Sequence, residues 1–333
     1  MKYRKLGKNG PQVSALGLGC MGMTASYGPT DNLTSIQVIQ RAYEQGVSFF
    51  DTADMYGNGE NEQLVGKAIQ PFRNKITLAT KCGIKIIDGE HYIDNTASYI
   101  KQACESSLKR LGVDHIDLYY LHRYNPEIPL EESMNALLDL VEAGKVNFIG
   151  LSEIDADVLE AAHKVLGDKL IALQTEYSIA NSTFAERLLP VCRKLGVAFV
   201  PYSPIGRGLL SGKLSHTQQL KESQALEFRV FLPQFQENAF SHNLQLVKTL
   251  GQIADKKHIT LSQLALSWLL AQGEDIIPIP GTKKPAYLDE NLAAVNITLD
   301  SEELAHVEAA RKAHPIQGER YPEVLMKLFN LTV

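Results

Sequence analysis

The chain has 333 residues, 44% of them hydrophobic and 21% charged, with 33 Lys and Arg against 38 Asp and Glu for a formal charge of −5. That is length for two average domains or for one large barrel of alternating strands and helices. The acidic balance leaves no basic surplus to neutralise a phosphate backbone, which argues against nucleic acid as a partner. Cys20, Cys82, Cys104 and Cys192 are too scattered for a metal or redox motif and too few for a disulfide framework, so no metal is expected and a cytoplasmic setting fits.

In chain order, a hairpin over 2–13 turned at Lys8-Asn9-Gly10 is followed by short apolar runs that alternate with longer amphipathic stretches. The eight expected strands are 15–19, 47–51, 76–80, 116–122, 147–152, 171–176, 198–203 and 275–281. Between and after them lie helical patterns at 31–45, 60–69, 96–111, 129–143, 155–166, 183–195, 239–257 and 285–294, with an extra helix near 301–313 and a tail to Val333. Gly46, Gly112, Gly144 and Gly196 stand where helices end before strands, as left-handed C-terminal caps do. Repeated strand-helix units of this kind build a parallel sheet, and eight of them close an α/β, (β/α)8 TIM barrel, read as one domain over 1–333. The most apolar helix candidate, 264–271, is far too short to cross a bilayer, and no apolar run follows the charged start, so no membrane role is expected. The stretch from about 213 to 238 shows little periodicity, and a long connection of that sort is expected to be a lid over a ligand.

Four polar residues sit at or just past the ends of apolar runs: Asp51 in SFFD, Tyr56 in DTADMY, Lys81 in TLATK and His122 in IDLYYLH. Parallel barrels place their chemistry at strand carboxyl ends. A phenol is a feeble acid at neutral pH, but an ammonium beside it stabilises its phenolate, and a carboxylate keeps that ammonium charged and aimed. The four together make a catalytic proton-donor set, with the histidine free to hold a substrate oxygen.

These residues, with FFDTADMYGNGENEQLVGKAI (49–69), the stretch 116–153, LQTEYS (173–178), PYSPIGRGLLSGK (201–213) and IPGTKKPAYLDEN (279–291), resemble the successive signatures of the aldo-keto reductase superfamily across nearly the whole chain. The likeness is nearest to its stand-alone bacterial and plant aldehyde and ketone reductases. It implies reduction of a small-molecule carbonyl, with Tyr56 as proton donor, Lys81 and Asp51 as its partners and His122 orienting the substrate. It also implies a nicotinamide stacked on Tyr202, with its carboxamide held by Ser152 and Gln174 and with Cys20, Met21 and Asp51 nearby. Ser203, Pro204, Ile205, Gly206, Arg207, Lys213 and Gly281 would line the pyrophosphate, and Glu290 and Asn291 would meet the adenine. Lys283 would pair with a 2′-phosphate, which favours NADP (NADPH) over NAD, although Tyr287 stands where many members carry arginine. Glu153 replaces a frequent asparagine.

Gly17, Gly19 and Gly22 spell a G-x-G-x-x-G, but MTASYGPT intervenes before a helix can begin, so the dinucleotide fingerprint is not met. Two other functions compete. A cofactor-binding interaction subunit like the potassium-channel β subunits shares these motifs but is altered at the position of His122, and a barrel hydrolase with paired carboxylates leaves Lys81, Tyr56 and the GTKK loop without purpose. The substrate pocket is expected near Tyr27, Met55, Tyr124, the 213–238 segment and the tail from 320 to 333.

Overall fold

The computed structural model describes residues 1–24, 26–88, 90–222 and 227–329. An antiparallel hairpin, β1 (Tyr3–Lys5) with β2 (Gln12–Ser14), comes first. The barrel follows as β3 (Leu18–Gly19), α1 (Asn32–Glu44), β4 (Phe49–Asp51), α2 (Glu60–Ile69) and β5 (Thr77–Cys82). A second hairpin, β6 (Ile84–Ile87) and β7 (Glu90–Ile93), precedes α3 (Ala97–Leu111), β8 (Ile116–Leu121), α4 (Leu130–Glu142), β9 (Val146–Ser152) and α5 (Ala156–Leu166). Then come β10 (Leu170–Glu176), α6 (Thr183–Leu195), β11 (Ala198–Tyr202), α7 (Gln218–Lys221), α8 (Glu237–Lys256), α9 (Leu261–Leu270), α10 (Pro285–Ala293), α11 (Ser301–Ala313) and α12 (Glu323–Leu328).

Seven parallel strands form one sheet in the order β11-β10-β9-β8-β5-β4-β3. The predicted eighth strand closes the ring without becoming a regular one. On one side Ile277 donates its backbone N–H to the Phe199 carbonyl and Ile279 to that of Pro201; on the other, Gly17 and Gly19 donate to the Pro278 and Pro280 carbonyls. On that second side the two prolines have no N–H to return, whereas towards β11 Phe199 also donates to the Asp275 carbonyl, and the 275–281 edge registers only as isolated bridges. Gly19 belongs to this seam: a Cβ there would lie 2.8 Å from the Ile279 carbonyl oxygen. Two glycines of the apparent dinucleotide motif, Gly17 and Gly19, thus serve barrel closure.

The core is layered as a barrel requires. Phe49, Ala79, Leu118, Tyr120, Ala172, Val200 and Ile277 fill the interior, where Leu6 and Val13 of the first hairpin join them and plug one end. A larger apolar layer lies between the strands and the helices. Burial on both faces explains why β5 and β10 read as continuous runs rather than alternating ones. Helices start on side-chain caps from Asp31, Thr96, Asp155, Thr260 and Asp300, and the four predicted capping glycines all have positive φ.

Two expectations change. The β6–β7 hairpin is an addition, built where IKII and EHYI flank an Asp-Gly step, a turn signal that counting barrel units passes over. The 213–238 segment is not aperiodic in structure: it contains α7 and 3-10 turns at Phe228–Phe231 and Pro233–Phe235, while 223–226 lie outside the described residues. The four cysteines are buried and free.

Candidate active site

The strand ends converge as the sequence suggested. Asp51 ends β4, Lys81 lies next to last in β5, His122 follows β8, Ser152 ends β9, Gln174 lies in β10 and Tyr202 ends β11. Parallel pairing aligns Ser152 with Gln174 and Lys81 with Tyr120, so the polar side chains reach the same rim. Tyr56 arrives on the tight turn Tyr56–Gly59 that follows β4.

The Lys81 ammonium is fully buried and donates to Asp51 Oδ1 at 2.5 Å and to the Thr52 carbonyl at 2.7 Å, and it lies 3.4 Å from the Tyr56 hydroxyl. Gln174 Nε2 donates to the other Asp51 oxygen at 2.8 Å. The His122 ring stands edge-on to Tyr56, with centroids 5.9 Å apart. Burial lifts the Asp51 carboxyl above its ordinary value and draws the Lys81 ammonium below its own, and each partner's charge offsets part of that. Burial, then the charges of Arg123 and Lys81, hold His122 well below the usual imidazole range, so the ring is neutral, and its buried Nδ1 has no partner among the described residues.

Tyr56 departs from expectation. Its hydroxyl is pushed well above the ordinary phenol value, first by burial and then by Asp51, so in this structure the ammonium does not make it a stronger acid at rest. The phenol is therefore fully protonated at neutral pH. Lys81 can favour the phenolate only as it forms.

A second polar cluster surrounds Tyr202, and the sequence did not reveal it. Arg320, from the tail, grips Glu153 with both terminal nitrogens at 3.0 Å and approaches Glu176 at 3.7 Å. Arg207 pairs with Glu176 at 2.7 Å and donates to the Arg320 carbonyl. The Tyr202 and Tyr321 hydroxyls are 3.0 Å apart. Burial works to raise Glu153, but Arg320 and Arg123 hold it below the usual carboxylate value. Arg207 was expected along a pyrophosphate; its guanidinium is instead committed to this buried network.

The remaining expected ligand contacts lie on the segments that follow β11 and the 275–281 edge. Ser203, Pro204, Ile205 and Gly206 run through a turn in which Ser203, Gly206 and Arg207 all have positive φ. Lys213 bonds Glu290 at 3.3 Å and its ammonium lies 3.6 Å from the Tyr287 ring centroid, which joins the two segments. Asn291 is buried beside them, and Gly281 bridges Gly19 at the barrel seam. Cys20 is buried, with its N–H on the Asp51 carbonyl, and Met21 is half-buried in the turn that follows. Lys283 is not a free cation: its ammonium donates to the carbonyls of Tyr27, Gly28 and Pro29. The 227–229 stretch crosses the same loop, through a bridge between Glu227 and Tyr27 and through Arg229 donating to the Arg207 carbonyl.

Residues 15–312 match the model of the aldo/keto reductase family. A probable aldo-keto reductase 1 from Glycine max is 41% identical over 320 residues, covering 95% of this chain and 91% of that one. Among solved structures, aldo-keto reductase AKR11C1 from Bacillus halodurans, in its holo form, superposes with a TM-score of 0.78 at 29% identity, covering 97% of this chain and 99% of its own. The glycerol dehydrogenase AKR11B4 from Gluconobacter oxydans superposes with a TM-score of 0.83 at 25% identity, covering 95% and 97%.

Proposed function

The chain belongs to the aldo/keto reductase family and is an oxidoreductase acting on carbonyls, and we propose that it reduces an aldehyde or ketone to an alcohol with NADPH, Tyr56 giving the proton. The observation that carries this reading is the buried Lys81, held by Asp51 and lying 3.4 Å from a protonated phenol beside a neutral histidine.

A nicotinamide dinucleotide fits the residues present. The unpartnered Nδ1 of His122, the Ser152 and Gln174 side chains at one rim, and the Lys213, Glu290 and Asn291 side chains offer polar contacts. Tyr202 would face the ring, Lys213 the pyrophosphate and Glu290 with Asn291 the adenine, while Lys283 would exchange its three carbonyls for a 2′-phosphate. When bound, the dinucleotide supplies hydride to the carbonyl carbon. The chain's own residues do the rest. His122, neutral, holds the carbonyl oxygen against Tyr56, which fixes orientation before charge develops. As negative charge grows on that oxygen, the Tyr56 proton moves onto it, and the Lys81 ammonium stabilises the phenolate left behind. Asp51 and Gln174 keep the ammonium in place.

The test is loss of NADPH absorbance by purified protein against a panel of aldehydes and ketones, with Tyr56→Phe beside the wild type. Tyr56→Phe should lose about a hundredfold to ten-thousandfold in turnover while NADPH titration stays nearly unchanged. Full turnover in Tyr56→Phe would rule out the tyrosine as donor.

A further inference from the structure

Among the described residues, charge does not balance around Tyr202. Three guanidiniums, those of Arg123, Arg207 and Arg320, face two buried carboxylates, Glu153 and Glu176. Both carboxylates are already taken, Glu153 by Arg320 and Glu176 by Arg207. The neighbouring Lys81–Asp51 and Arg229–Glu227 pairs are each neutral in themselves. The uncompensated positive charge therefore belongs to Arg123, which is only 5% exposed and has no ion-pair partner among the described residues. Its Nη1 donates to two neutral oxygens, the His122 carbonyl at 2.6 Å and Ser152 Oγ at 3.2 Å. Its Nε is buried and has no hydrogen-bond partner among the described residues.

A buried charge without a counter-ion is costly to keep, and a guanidinium presents a planar fork that fits a carboxylate in two parallel hydrogen bonds. Phe329 covers one face of this fork, 4.8 Å away, and a carboxylate pairs with a guanidinium at its edge. That edge starts one residue from His122, whose ring is set against Tyr56.

We propose that Arg123 anchors the carboxylate of the substrate, and that the preferred substrates are short oxo-acids whose aldehyde or ketone group reaches Tyr56 and His122 while the acid end meets the guanidinium. This rests on the carbonyl-reductase reading and narrows it from any carbonyl compound to anionic ones. No component is consumed beyond those of the reduction, because the carboxylate is a handle and takes no part in bond making.

The experiment compares matched pairs with NADPH: the semialdehyde of succinic acid against butanal, and the semialdehyde of glutaric acid against pentanal. Wild type should favour the acids in kcat/KM by about a hundredfold, as expected for a buried charge-assisted contact. Arg123→Met should bring that ratio near unity by raising KM for the acids, and Arg123→Lys, which keeps the charge without the fork, should retain part of it. An independent readout is the unfolding temperature of the NADPH-bound protein: unreactive glutarate should raise it in wild type and leave Arg123→Met unmoved. Reduction of pentanal with no preference for its acid counterpart, or an acid preference that survives in Arg123→Met, would overturn the anchor alone. NADPH affinity falling in Arg123→Met as far as the acid preference does would assign the guanidinium to the dinucleotide and overturn it too. Turnover of neither member of a pair would instead refute the reductase reading, and the anchor with it.

Discussion

Breaking the buried pair at the centre of the site tests structure and mechanism at once. In Lys81→Met the side chain still fills its place, but Asp51 loses an ammonium at 2.5 Å and keeps only the amide of Gln174 at 2.8 Å. Asp51 is 3% exposed, so water cannot replace the lost partner. Removing one member of a buried pair typically costs about 3–5 kcal/mol, because an uncompensated charge is left behind. Burial already raises the Asp51 carboxyl, and without Lys81 it must rise further, so folding of the variant favours its protonated form. A carboxyl whose folded-state value lies above its unfolded one takes up a proton on folding, so its contribution is fully present below the unfolded value and is lost as pH rises through the folded one. The stability deficit of Lys81→Met should therefore be small at about pH 4 and grow toward about pH 8. Urea titration of wild type, Lys81→Met, Asp51→Asn and the double variant across that range measures it. The double variant should regain about 1–3 kcal/mol over the simple sum of the singles, yet its turnover should remain as low as that of Lys81→Met. Additive single costs that do not change with pH would refute the account of a coupled buried pair.

Three further outcomes follow from particular contacts. Gly19→Ala should cost about 1–3 kcal/mol by urea titration, since its Cβ would meet the Ile279 carbonyl at 2.8 Å across the barrel seam; an unaffected midpoint would mean the seam gives way freely. Arg320→Met should cost about 3–5 kcal/mol, because Glu153 would be left buried without its bidentate partner, and Glu153→Gln in the same chain should recover part of that loss in thermal melts. Lys283→Ala should weaken NADPH about tenfold and NADH hardly at all in fluorescence titrations, a modest factor because the ammonium must give up three carbonyls to meet a phosphate; equal losses for both would remove the 2′-phosphate assignment.

The barrel was legible because its signals are local. Helix starts at Asp31, Thr96, Asp155 and Asp300 are written in a residue and its third neighbour, and strands buried on both faces leave unbroken apolar runs. The convergence of Asp51, Lys81 and His122 at one rim was legible for a related reason: each stands at or beside the end of such a run, and Tyr56 follows on the next turn, so finding the strands found where these side chains meet. What stayed hidden was of another kind. Strand eight looked regular because periodicity counts side chains, whereas its irregularity lies in two missing N–H groups. The direction of the Tyr56 shift was misread because residue types suggest which charges are near but say nothing about how much water burial removes, and here burial outweighs them.

The cluster around Tyr202 marks the limit most clearly. Arg320 and Glu153 lie 167 residues apart, and Tyr321 and Tyr202 lie 119 apart, so no spacing rule joins them. Taken alone, Glu153 looked like a variant of a carboxamide pocket, Arg207 like a phosphate contact and the tail like a pocket wall. Folded together, they make a buried ionic frame in which, among the described residues, every charge but one is matched, and that arithmetic exists only once the tail has returned to the barrel mouth. Arg123 sits beside His122 in the sequence and drew no notice, because an arginine is ordinarily solvated. It acquires meaning only from its burial and from the two carboxylates that other arginines have already taken. Chemistry carried by single residues at strand ends can be read from a chain; specificity carried by an unpaired charge requires the count of its neighbours.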